Sequence, residues 1–410
     1  MPDTDSTPLR AAGGTPPAAA ERRPARLPGV DMARVVAIAL VCLVHVVKAG
    51  GVESVAGRSV VGAYETQLLC ALGYVSVDLF ALVSGYLLAR TRSFRAGRFL
   101  RLYADVWTVG LLSALVASHV TGVALHAGDW RGIAFPMTRR AYWYFSAYAG
   151  MYPFVPLLAA GMASVSRRTL LAATLAALAL FSLPVLYDFE DPFVLKRGYS
   201  SLWLLALFLA GAHLRLHVPP AKRPWTCLAG VFACAAWTVA FFALERNVPW
   251  VDRTFGPKNP FLTYLSPTTV GGAFLLLRYF VSRPWRPDGA AARLAAFLAP
   301  AAFGVYLWQT QPFVFRNLFE GSFRRLGALP WPILPWAVLG AALGLFLGIF
   351  LESFVVTTAE VDQVMFGRSI HPPSFVAAFV LTLVFSGISM LLMLPKLARV
   401  NMVESLKSNE

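Results

Sequence analysis

Apolar stretches of about twenty residues recur through this chain, and a helix of that length crosses a bilayer. Bounded by charge, Gly or Pro, they fall at 31–48, 68–89, 102–124, 142–163, 169–187, 200–217, 225–244, 262–282, 294–315, 331–351 and 373–394. A water-soluble core cannot hide so much apolar surface in 410 residues, of which 57% are hydrophobic and only 14% charged. The expectation is an all-α polytopic integral membrane protein of ten or eleven transmembrane helices.

The net charge of +15 would suit nucleic acid, but the Lys and Arg lie in short links between apolar runs, where they set orientation. No nucleic-acid partner is inferred. Arg22, Arg23 and Arg26 precede the first stretch, and Arg90, Arg92, Arg95, Arg98 and Arg101 crowd the link after the second, so both clusters and the amino terminus belong inside. The alternation holds through the ninth stretch, although Arg139, Arg140, Arg324 and Arg325 fall in outside loops. It breaks after the tenth. Strict alternation puts loop 352–372 inside, yet that loop carries Glu352, Glu360 and Asp362 against Arg368 alone. Residues 1–29, rich in Pro, Ala and Gly, read as a disordered cytoplasmic tail without a signal-peptide core. Cys42, Cys70, Cys227 and Cys234 sit in apolar runs without metal-ligand spacing and read as inert core, so no metal is expected.

The first stretch, GVDMARVVAIALVCLVHVV from Gly29, contains one Asp, one Arg and one His. Arg34 and His45 are 11 residues apart. At 100° per residue they lie about 20° from alignment on one helix face and roughly 16 Å apart along the axis. Two readings fit. Titratable groups inside a span mark functional sites, so the pair can touch two ends of a membrane-embedded cavity. Alternatively, Arg34 snorkels to the headgroups beside Asp31 and His45 sits at the opposite interface.

This stretch resembles the first span of the acyltransferase 3 family of bacterial integral-membrane O-acyltransferases. GYVSVDLFALVSGYLLAR, from Gly73 to Arg90, is similar to that family's second span, including Asp78, Phe80, Ser84 and Gly85. RFLRLY from Arg98 looks like its following basic motif, without the Pro that often comes next. YWYFSAYAGMYPFVPLL from Tyr142 and FGVYLWQTQPF from Phe303 are like its aromatic fourth span and its penultimate span. The likeness covers about 30–340. Ala141 and Tyr142 stand where relatives often carry His, and Gln309 stands where a second His is frequent.

The resemblance implies transfer of an acyl group, in the first place acetyl, from cytoplasmic acyl-CoA to a hydroxyl of a sugar, cell-surface glycan or lipid-linked acceptor in the bacterial inner membrane. Acyl-CoA is then a co-substrate, and no cofactor is permanently bound. His45 is the candidate base, because imidazole accepts a hydroxyl proton near neutral pH. Arg34 offers a charged planar fork for the CoA phosphates, and Arg98 and Arg101 extend that basic mouth. Asp78 either orients His45, neutralises Arg34 or forms a structural pair. Trp143 and Tyr144 read as aromatic belt or as sugar-stacking surface, and Tyr306 and Gln309 as acceptor-cavity lining or interhelical hydrogen-bonding groups. Ser84 and Gly85 read as close-packing residues rather than a nucleophile. The oligomeric state stays open, a homo-oligomer included.

The carboxyl-terminal segment, about 343–410, looks instead like the end of an FtsX/MacB-type ABC-transporter permease, on the strings TAEVDQVMFGRSIHP and MVESLKSNE. That likeness would place loop 352–372 outside and the basic tail inside. No Walker-type phosphate loop is present in the sequence. The expected layout is a tail over 1–29, an acyltransferase body over 30–340 and a permease-like segment over 341–410. The rival to the enzyme is a non-enzymatic permease-like or partner-binding membrane subunit.

Overall fold

The computed structural model describes residues 26–187, 191–255 and 259–364. Its helices, in chain order, are α1 (Pro28–Val47), α2 (Val52–Ala56), α3 (Val60–Leu88), α4 (Ala96–Thr121), α5 (Ala127–Ala134), α6 (Trp143–Met151), α7 (Val155–Ser164) and α8 (Arg167–Tyr187). They continue as α9 (Ser201–His217), α10 (Pro224–Asn247), α11 (Pro249–Phe255), α12 (Pro267–Ser282), α13 (Ala290–Leu298), α14 (Ala302–Thr310), α15 (Pro312–Val314) and α16 (Ile333–Val364). No strand occurs among the described residues. The chain divides into two compact units, 1–353 and 354–410, and the architecture below is that of the first.

Each expected stretch from 31–48 to 331–351 has a helical counterpart, whereas 373–394 lies outside the described residues, as do residues 1–25 of the expected tail. Among the described residues, seven helical segments are long and apolar enough to cross a membrane: α1, α3, α4, α8, α10, the run Ala290–Thr310 and the start of α16. The other three fall short for local reasons. The aromatic stretch from Trp143 is broken into α6 and α7 by a 3₁₀ turn at Tyr152–Phe154, where Pro153 and Pro156 each remove a backbone donor. Helices α9 and α12 have only 17 and 16 residues.

Caps fix where the inner helices begin. Ser59 Oγ accepts the Gly62 N–H at the start of α3, and Ser200 Oγ accepts the Trp203 N–H at the start of α9. Pro28 occupies the first turn of α1, where its missing N–H costs nothing. Helix α3 is the centre of the bundle, packing against α1, α9, α10 and α12. Two glycines allow its closest crossing. A Cβ on Gly85 would collide with the Phe208 carbonyl of α9, and one on Gly211 of α9 with the Leu82 carbonyl of α3. Ser84 donates its hydroxyl within its own helix to Phe80 O, 3.0 Å away.

Most of α1 and α3 is enclosed, while α4, α8, α10 and α16 turn most of their apolar surface outward. Leu175, Leu183, Trp225, Phe232, Trp237 and Trp336 are all exposed, the pattern of helices solvated by lipid. Helix α16 shows one inward stripe, Leu334, Val338, Ala342, Phe346 and Phe350, each four residues from the last.

Candidate active site

His45 lies in the last turn of α1, whose neighbouring Val41, Cys42, Val46 and Val47 are buried. That packing leaves the imidazole half-buried and facing α14. Its Nδ1 lies 3.3 Å from Oε1 of Gln309, which is 1% exposed. With the amide oxygen as acceptor, His45 Nδ1 carries the hydrogen, and in the neutral ring Nε2 keeps its lone pair. The chain then turns sharply. Gln311 caps α15 through its side chain, accepting the Val314 N–H at 2.8 Å, and a π-helical turn over Phe315–Phe319 brings two rings against the imidazole. Phe315 and Phe319 both meet His45 edge-on, at 5.8 and 6.2 Å between centroids.

Tyr306, one turn before Gln309, ties this segment to α6. Its hydroxyl accepts the Tyr144 N–H at 3.2 Å, and its ring lies 6.1 Å from Tyr144 and 6.3 Å from Tyr142. From Tyr144 the aromatic contacts continue through Trp143, 5.5 Å away, to Tyr199 and Tyr264 at 4.2 and 6.1 Å. Tyr264 also meets Tyr74 of α3 at 4.9 Å. Trp143 and Tyr144 therefore belong to an internal aromatic wall rather than to a belt on the outer surface.

Asp78 is completely buried on α3, and its Oδ1 accepts the indole N–H of Trp203 at 3.2 Å. The Ser200 cap that starts α9 sets the register in which Trp203 reaches it. Among the described residues neither His45 nor Arg34 makes a hydrogen bond or ion pair with Asp78. Asp78 thus joins α3 to α9.

Arg34 lies toward the other end of α1, 4.0 Å from Asp31 at the outer limit of an ion pair, with its side chain 33% exposed. At the link between α3 and α4, Arg90, Arg92, Arg95 and Arg98 line a cavity of about 460 Å³ with Tyr152 at its wall. Tyr152 stacks on Phe99 and meets Phe94, which holds the start of α4 against α6. Arg101 does not line that cavity; it is exposed, and its charge acts on Asp105, one turn on. The unit thus carries a basic cavity at the α3–α4 link and, in the last turn of α1, a histidine beside an aromatic wall. A family model for an acyltransferase domain, that of the acyltransferase 3 family, matches residues 27–353.

The chain belongs to the acyltransferase 3 family. It is a multi-pass membrane acyltransferase, which implies a bilayer around it and an acceptor substrate. No curated protein and no solved structure matches the chain. The acyltransferase match runs past residue 340, the boundary expected from the sequence, and ends where the first compact unit ends.

Sequence reading placed Gln309 in the acceptor cavity or between helices, and the acyltransferase uses it as the partner of His45, 264 positions earlier in the chain. Trp203, Phe315 and Phe319 escaped that reading, since nothing in an apolar run marks which aromatic residue faces a carboxylate or an imidazole. Arg131 and Arg316 escaped it too. The excess of arginine in loops assigned to the outside was the available signal.

Proposed function

We propose that this acyltransferase moves an acyl group, acetyl in the first place, from acyl-CoA to a hydroxyl of a sugar or glycosylated acceptor. The hydrogen bond from His45 Nδ1 to Gln309 carries the reading, because it leaves Nε2 as a base at the end of α1 away from Arg34. Guanidinium groups suit the CoA phosphates, and Arg90, Arg92, Arg95 and Arg98 line a cavity where such phosphates would rest, with Arg34 in the same role from α1. The donor's long arm then follows α1 toward His45, over a helical rise of roughly 16 Å from Arg34. Nε2 takes the proton from the acceptor hydroxyl, whose oxygen attacks the thioester carbonyl carbon. The C–S bond breaks, and the leaving sulfur receives the proton from His45, giving ester and free CoA. On this reading the arginine-rich end is cytoplasmic, as the charge bias of the links also indicates. Trp143 and Tyr144 supply stacking surface for a sugar ring, and Asp78 holds the α3–α9 crossing beneath it.

The test is acetyl-CoA turnover by purified protein in liposomes with a panel of sugar acceptors. His45→Ala should lose about 10²- to 10⁴-fold in kcat while remaining inserted, and Arg34→Ala should chiefly raise the KM for acyl-CoA. Full turnover in His45→Ala would remove the base from this scheme.

A further inference from the structure

A second cavity, of about 400 Å³, is enclosed by α4, α5 and the segment running into α15. Its walls include Asp129, Arg131, Arg139, Tyr142, Gln311 and Arg316, three guanidinium groups against one carboxylate. Asp129 is already engaged, accepting from Arg316 at 2.9 Å, and the side-chain oxygen of Gln311 is used in its cap. What remains are donors. The Arg131 side chain uses only its Nε, on Ala127 O at 3.2 Å, and the Arg139 side chain makes no hydrogen bond or ion pair among the described residues. The Tyr142 hydroxyl, on a residue 3% exposed, has no partner; it lies against Gly110, where a methyl group would come within 2.9 Å of it. The Tyr142 hydroxyl is a buried donor without an acceptor, which calls for a ligand that brings an oxygen, and the exposed Arg131, Arg139 and Arg316 around it, with two surplus positive charges, call for that ligand to be negative.

The cavity adjoins the histidine. Arg316 follows Phe315, whose ring touches His45, and the Tyr142 ring lies 6.3 Å from Tyr306, one turn before Gln309. A ligand anchored here by a charged group extends its remaining atoms toward the His45 side of the wall. The site also accounts for arginines in a loop where the charge bias of the other links disfavours them.

We propose that this cavity binds a carboxylate or phosphate carried by the acceptor, so that the acceptor is an acidic saccharide rather than a neutral one. The proposal rests on the acyl-transfer reading of His45, but its test does not need turnover. Full-length protein in phosphatidylcholine nanodiscs is titrated calorimetrically with glucuronic acid, glucose 1-phosphate and glucose. One or both acids should bind at least about tenfold more tightly than glucose, and Arg139→Gln should remove about that factor. Arg139→Lys, which keeps the charge, should retain part of the affinity, and Gly110→Ala, which crowds the Tyr142 hydroxyl, should weaken acid binding in a protein that still folds. Equal binding of glucose and the acids, no binding of either acid at 10 mM, or an unaffected Arg139→Gln would overturn the proposal. So would loss of acid binding when phosphatidylglycerol replaces phosphatidylcholine, because the cavity would then belong to a lipid headgroup. Acid binding without acyl transfer would uphold this site and count against the catalytic scheme; transfer to neutral sugars alone would do the reverse.

Discussion

Gln309→Leu isolates the one interaction that sets which nitrogen of His45 is the base. Leucine fills similar space in a position 1% exposed but cannot accept the Nδ1 hydrogen 3.3 Å away. A net hydrogen bond of this kind is worth about 1 kcal/mol, which at about 1.4 kcal/mol per tenfold corresponds to a fall in kcat of about fivefold. That is well short of the roughly 10²- to 10⁴-fold expected when the base itself is removed. Gln309→Glu keeps an acceptor oxygen facing Nδ1, so its kcat should stay within about threefold of wild type. The assay is the initial rate of thiol release from acetyl-CoA, with kcat and KM resolved separately. Because Gln309 acts through His45, the double variant His45→Ala/Gln309→Leu should be no slower than His45→Ala alone. Losses that multiply in the double variant, or a Glu variant as slow as the Leu variant, would refute the tautomer argument.

Trp203→Phe keeps the ring but deletes the donor to the buried Asp78; about 1–3 kcal/mol of stability should be lost, read as a lower thermal midpoint, and Asp78→Asn, which keeps the acceptor, should be milder. Gly211→Ala drives a methyl into the Leu82 carbonyl and should cost about 1–3 kcal/mol or more, whereas Gly340→Ala on α16, with open space around it, should be neutral or stabilising. Asp129 titrates in a readable direction. Partial burial opposes its charge, but the hydrogen bond from Arg316, the His126 N–H and the charges of Arg316 and His126 outweigh it and hold the carboxyl below the usual carboxylate range. Its contribution is therefore fully present above the unfolded value of 3.8 and is lost as pH falls through the lower folded value. Arg316→Gln should be less stable than wild type above pH 3.8 and its stability profile should converge on the wild-type one in acid, and profiles coincident at every pH would contradict the pairing.

The sequence by itself determined the solvent and the class. Apolar runs of helical length leave a chain no way to satisfy its backbone in lipid except as helices, so the membrane-helical architecture follows from composition and run length. One local reading also carried through, Gly85 as a close-packing residue, whereas the break of the aromatic stretch at Pro153 and Pro156 was not anticipated. Helical geometry alone placed Arg34 and His45 toward opposite ends of one helix, because rise and angle per residue are fixed by the backbone. Partnership was another matter. Asp78 could be read toward His45, toward Arg34 or as a structural group, and only the register of α9 against α3 gave it to Trp203. Gln309 reaches His45, and Arg316 reaches Asp129, across 264 and 187 positions of chain. In a helix bundle the side chain that faces a given residue depends on the rotation and depth of a neighbouring helix. Those are set by the sum of many small packing contacts rather than by any motif along one strand of sequence, so they become visible only when the helices are assembled.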